Sequence, residues 1–250
     1  MESANDCCER ARNLYRSGLF EQVLDLTAEA VGQYTDHPPL WHFRGLAHHA
    51  RGEFAEAVAA LETLTLLAPL SPSAQVALAS SYLATGKPEL ARTMYSHLAS
   101  TPGVPVHLLP QLAAGLDCLE EFQAALAVRR EWAQRDPGCA AAFFAVAQSM
   151  ARLTYPADSL LPFLWQAFQL APDKILYRVD LALLFQRCGN REKAYRLLEA
   201  VPASAYRAIC CPPRLQALIA VFSAAGDADR HETCHRQLSA MSNGRGGSKD

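Results

Sequence analysis

Three glycines, Gly18, Gly52 and Gly86, stand 34 residues apart. Small residues keep the same step, with Ala11, Gly45, Ala79, Ala113 and Ala147 in one column and Ala57, Ala91 and Ala125 in another. Pro69 returns two periods later as Pro137. A period of this length is one supersecondary unit repeated, and a single unit cannot bury its own apolar face, so the units must stack. The unit is clearest from Pro38 to Ser71. Trp41, Gly45 and His48 recur at helical spacing, Gly52 breaks the pattern at a turn, and Phe54, Ala57, Leu61 and Leu64 resume it until Pro69. This is a pair of short helices folded on each other. Small side chains at Gly45 and Ala57 let the two axes approach, while Trp41, Phe54 and Leu61 fill the space around them.

A bulky residue, a small residue four positions on, a turn glycine, a second-helix alanine and a closing proline are held here by Trp41, Gly45, Gly52, Ala57 and Pro69. In order and spacing this resembles the tetratricopeptide repeat. Arg44 departs from the pattern, which usually has an aliphatic residue before the small one. Glu120 departs at the turn of the fourth copy, at some cost in turn stability. The resemblance implies an all-α fold, a right-handed superhelical solenoid of about seven TPR-type helix-turn-helix repeats. The repeats are expected to start near residues 4, 38, 72, 106, 140, 174 and 212, in a single TPR solenoid over 1–241. Local signals refine this. The first helix covers Glu2 to Arg16, and Pro110 delays or bends the start of its helix. Asp158 is read as an N-cap that places Pro162 in the first turn of its helix. Pro202 cuts a helix short, Ala203 to Cys211 connects the last two repeats, and 242–250 is expected to be a disordered tail.

Composition excludes several classes. Half the 250 residues are hydrophobic, enough for a large core, and a net charge of −2 gives no general pull toward nucleic acid or an anionic membrane. The longest apolar runs, such as Leu64 to Leu70, are too short to span a bilayer. The first residues lack the basic-then-apolar order of a signal peptide, and the eight cysteines lack a disulfide-like or CxxC spacing. A reduced, cytoplasmic compartment is the expectation. No phosphate loop, GxGxxG or GxSxG motif occurs, and the repeats leave no room for a catalytic domain. Neither a catalytic constellation nor a cofactor is expected. His42 and His49 are two turns apart on one face, wider than the spacing of paired metal ligands, and are read as groove-lining rather than as a metal site. His231, Cys234 and His235 on the last helix lack the paired ligands of a zinc module and are likewise not read as a metal site.

In tetratricopeptide proteins the first helices line the concave surface. The resemblance therefore places Arg12, His42, Leu46, His49, Val76, Leu83, Phe144, Gln148, Val179 and Leu183 in a partner-binding groove. Apolar groups on such a face call for a protein or peptide to cover them. Charge at Arg12, with His42 and His49 near it, favours an acidic segment of that ligand. Family members that bind chaperone tails clamp a carboxylate with several lysine, arginine and asparagine side chains. The corresponding positions here, Cys8, Arg12, Phe43, Ser73 and Ala77, do not make such a clamp. The expected function is a non-catalytic protein–protein interaction module, a scaffold or adaptor binding a peptide or helix. The alternative is a dedicated chaperone or regulator of a secretion or assembly system with a single client.

Overall fold

The computed structural model describes residues 3–243. Glu2 and residues 244–250 of the expected tail lie outside the described residues. The elements are α1 Ala4–Arg16, α2 Phe20–Gln33, α3 Pro38–Ala50, α4 Phe54–Leu67, α5 Pro72–Ala84, α6 Pro88–Ser100, α7 Leu109–Cys118 and α8 Phe122–Arg135. They continue as α9 Ala140–Arg152, α10 Ala157–Leu170, α11 Ile175–Arg187, α12 Arg191–Glu199, α13 Pro212–Ala225 and α14 Ala228–Asn243. Short 3-10 turns at Val106–Leu108 and Ala203–Ala208 precede α7 and α13. The described residues contain no strand, and the fold is an all-α solenoid of helical hairpins. Two compact units are present, Met1–Trp132 and Ala133–Asp250.

Helix starts follow from residue chemistry. Ser3 and Asp6 form a reciprocal capping box on α1, and the Ser71 hydroxyl accepts from Ala74 N–H at the start of α5. Pro38, Pro72, Pro88 and Pro212 occupy opening positions, where a missing N–H costs nothing. As the sequence implies, Pro110 stands at the start of α7, behind a 3-10 turn.

Every hairpin turns in the same way. Gly18, Gly52, Gly86, Gly189 and Gly226 have φ between 71° and 80°, and Glu120 and Thr154 hold the equivalent places at 61° and 57°. After each, the next N–H reaches back five residues to a helical carbonyl: Leu19 to Leu14, Glu53 to His48, Lys87 to Tyr82, Glu121 to Leu116, Tyr155 to Met150, Asn190 to Phe185 and Asp227 to Phe222. This is the left-handed helix end that glycine adopts without strain. Thr154 meets it with a β-branched side chain, the least suitable kind.

The small columns form the helix–helix seams. Ala11, Ala57, Ala79, Ala91, Ala113 and Ala125 are fully buried, and Gly45 lies against Leu61. In the first unit a core of Leu61, Leu78, Tyr95, Leu98, Leu112 and Leu116 fills the space between them. The second unit gathers Val179, Leu198, Tyr206, Leu215, Leu218 and Phe222.

The structure differs from the sequence reading in three places. Helix α10 starts at Ala157 after Pro156, because Thr154 completes its turn earlier than expected; Asp158 is in the first turn and Pro162 lies inside the helix. Its missing N–H leaves the Asp158 carbonyl without an intrahelical donor. The connector after α12 is structural: Tyr206 is buried, donates to the Leu198 carbonyl at 2.7 Å and meets Phe222 edge-on at 5.2 Å. Arg230 of α14 closes the same corner by donating to the Glu199 and Val201 carbonyls, with Asp227 holding its guanidinium. Finally, α14 runs to Asn243, so Ser242 and Asn243 are helical rather than part of a tail.

Candidate functional site

In the first unit the first helices of successive hairpins touch one another, α3 packing on α1 and α5, and α5 on α7. They make one continuous layer, and its outward side is the candidate site. Arg12 is exposed, and His42, His49 and Leu83 are half-buried. The His42 ring meets Phe43 edge-on at 5.2 Å, and His49 meets Phe54 at 5.9 Å. His49 Nε2 lies 2.5 Å from Ser80 Oγ on the neighbouring first helix. The Ser80 hydroxyl has the Ala77 carbonyl 3.1 Å away as its own acceptor. His49 and Ser80 thus form one hydrogen-bonded pair across the layer, with the donor set by the tautomer of the ring.

Burial disfavours the charged form of both His42 and His49 and pushes their pKa values down. Near neutral pH they therefore present neutral rings for hydrogen bonding and stacking. The charge that the sequence suggested around Arg12 rests on Arg12 itself.

Two of the expected groove residues in this unit are closed off. Leu46 is 6% exposed and Val76 5%, both within the core that contains Leu61 and Leu78. They support the layer from beneath.

The second unit has its own first-helix face. Phe144 of α9 is half-buried against Tyr177 of α11, ring centroids 4.5 Å apart, and Gln148 is exposed. Leu183 is half-buried against the core, and Val179 is 0% exposed inside it. Tyr177 is the surface partner that the sequence reading passed over; its only signal was an aromatic residue two positions before Val179. Asp180 and Arg214 were also missed. They join α11 to α13 through a two-point ion pair of 2.6 and 2.7 Å. Their separation of one 34-residue period, with opposite charges, was the available clue.

A cleft of 690 Å³ lies between α1 and α2. Arg10 and Asn13 face Gln22, Asp25, Glu29 and Gln33 across a floor that includes Leu14 and Leu26. No group of three or more His, Cys, Asp or Glu side chains able to hold a metal occurs among the described residues. Nor is any described helix long and apolar enough to cross a membrane.

The family of the tetratricopeptide repeat matches residues 38–63 and 72–95. No curated protein matches the chain. Among solved structures, the C-terminal part of a TPR repeat-containing protein from Cytophaga hutchinsonii superimposes with TM-score 0.70 at 10% identity, covering 94% of this chain and 95% of that one. PilF of Pseudomonas aeruginosa gives 0.64 at 16% identity, with 84% and 93% covered. YrrB, a TPR protein with an unusual peptide-binding site, gives 0.57 at 18% identity, with 70% and 90% covered. These likenesses share the helical-repeat fold, and the matched segments are the second and third hairpins, where the sequence pattern is fullest. Residues 38–63 and 72–95 thus carry tetratricopeptide repeats within an all-α helical-repeat fold.

Proposed function

We propose that residues 1–241 serve as a non-catalytic interaction module, a scaffold or adaptor that takes a peptide or helix on its first-helix faces. The observation that carries this reading is the continuous layer of α1, α3, α5 and α7, in which His42, His49 and Leu83 stay part-exposed and Arg12 is exposed on α1. Partly covered rings and aliphatic groups gain by losing water to an apolar ligand, at roughly 25 cal/mol per Å² of apolar area. Ordering a flexible peptide offsets much of that gain, so affinity belongs in the micromolar range. Phe144, Gln148 and Leu183 offer the same chemistry on the second unit. Leu46, Val76 and Val179 enter this reading as supports rather than contacts.

The partner is a protein or peptide rather than nucleic acid, in keeping with a net charge of −2. A carboxylate clamp has no support: of Cys8, Arg12, Phe43, Ser73 and Ala77, Cys8 and Ala77 are buried, and only Arg12 is a cation. The reading places the protein in the cytoplasm. YrrB shares the fold and is a peptide binder, which agrees with a peptide ligand here.

The test uses exposed positions, so that folding is not at stake. Arg12→Glu with Ala114→Arg alters the first-helix face at α1 and α7, where both side chains are exposed. Affinity capture by the double variant should lose the partners held by the wild type, while the helical circular-dichroism signal and melting temperature stay unchanged. Capture at the wild-type level would sink the proposal. One stoichiometric client, rather than several, would mark a dedicated chaperone.

A further inference from the structure

The seam between the first two hairpins, within the first unit, carries a charge-bearing residue on its apolar stripe. Leu40, Arg44 and Ala47 form one stripe of α3, four and three residues apart. Leu40 packs with Cys7, Cys8 and Ala30, and Ala47 with Ala11 and Val23, so the stripe faces the first hairpin. Between these two apolar positions in the register stands Arg44. Arg44 Nη1 is buried and has no hydrogen-bond partner. The only other buried side-chain polar atom without a partner among the described residues is His37 Nδ1. It belongs to the N-cap residue of α3, in a ring whose Nε2 reaches Asn5 Oδ1 of α1 at 3.3 Å. Both orphaned atoms thus belong to α3 and its N-cap.

The same register elsewhere shows two ways of filling this place. One, two and three periods later stand Leu78, Leu112 and Val146, all buried. Four periods later stands Asp180, whose charge is matched by Arg214 at 2.6 Å. Arg44 is neither aliphatic nor paired through Nη1. A buried cation without a counter-charge is costly, and it recruits an anion where one can reach it. The residue as a whole is partly exposed, while its Nη1 is buried. A planar fork of N–H donors is also the group best shaped to hold two oxygens at once.

We propose that Arg44, at the seam between α1–α2 and α3, is the centre of an oxyanion-binding site that takes a carboxylate or phosphate group. The site is separate from the outward first-helix face and does not depend on the peptide-binding reading. Occupancy by the anion would fasten the first hairpin to the second, because its counter-charge completes the seam.

Thermal melts of the full chain test this in sodium phosphate, in sodium acetate and in sodium chloride at equal ionic strength. Phosphate or acetate should raise the wild-type melting temperature by about 2–4 °C over chloride. Which of the two acts identifies a tetrahedral or a carboxylate ligand. Arg44→Leu, which restores the residue type of Leu78 and Leu112, should melt higher than wild type in chloride and lose the anion increment. Arg44→Gln, uncharged but polar, should also lose the increment, and this holds the result apart from any repacking by leucine. An increment of equal size in all three proteins would be a general salt effect and would overturn the site. So would a wild type that melts alike in all three salts.

Discussion

Gly115 gives the sharpest test of how closely the helices approach. It lies in α7, and a Cβ built there would stand 2.2 Å from Tyr95 Cζ, 2.5 Å from Cε2 and 2.7 Å from Cε1. Tyr95 is 1% exposed, so its ring has nowhere to swing, and either α7 or the ring must shift. Overpacking of this kind costs roughly 1–3 kcal/mol, with the upper part of that range expected against a rigid ring. Alanine returns up to about 1 kcal/mol of helix propensity. Gly115→Ala should therefore destabilise by about 1–2 kcal/mol and lower the melting temperature by about 2–8 °C. Gly32 provides the control. It lies inside α2 with nothing within 4 Å of an added Cβ, so the same substitution there should stabilise by up to about 1 kcal/mol. Pairing Gly115→Ala with Tyr95→Leu removes the ring atoms in the way, and the double variant should lose less than the sum of the singles. The assay is urea unfolding followed by circular dichroism. If Gly115→Ala unfolds at or above the wild-type midpoint, α6 and α7 do not approach as closely as described.

Other consequences follow from named residues. Thr154→Gly should stabilise by about 0.5–1 kcal/mol, since relief of a left-handed β-branched residue outweighs the backbone entropy of glycine; a lower melting temperature would contradict the turn geometry. Val179→Asp places a carboxylate in the closed core of the second unit and should cost about 3 kcal/mol or more, seen as loss of a cooperative melt; a folded variant with wild-type stability would return Val179 to the surface. Acid should weaken the fold through two kinds of group. His42 and His49 have pKa values lowered by burial, so their contribution is present above the ordinary histidine value and is lost as pH falls through it. Glu53 is held below the usual carboxylate range by hydrogen bonds from His48 and Arg51, and its contribution is lost at lower pH, as the carboxylate takes up a proton. Urea midpoints should fall from pH 7 to pH 5, less steeply in a His42→Gln/His49→Gln variant; an unchanged slope would show that the two rings stay solvated.

How much of this was legible depends on whether an interaction keeps the period. The turn and seam columns do, because each hairpin solves the same packing problem with the same small residues, and Gly18, Gly45, Ala57 and Gly86 announce it. Thr154 keeps the period, yet it was hidden because nothing in a threonine signals a left-handed backbone. Gly115 was passed over because its column holds Ala47, Ser81 and Ser149, and only the bulk of Tyr95 makes glycine necessary. On the candidate first-helix face, the sequence offers a direction for each side chain but not its depth. A first helix inside the array packs on its own second helix and on first helices to either side, so a residue on its outward half can still be covered, as Leu46, Val76 and Val179 are. Contacts that shape the face run diagonally, His49 to Ser80 over 31 residues and Phe144 to Tyr177 over 33, and fall off every column that a 34-residue period can reveal. Burial then alters the chemistry that residue type suggests: His42 and His49, counted as charges on sequence alone, lose charge when covered. The face is consequently a hydrogen-bonding and stacking surface that also carries the exposed cation Arg12. A ligand on the proposed face would gain mainly through covered rings and aliphatic groups, so raised salt should weaken binding only by the share that its exposed cations supply.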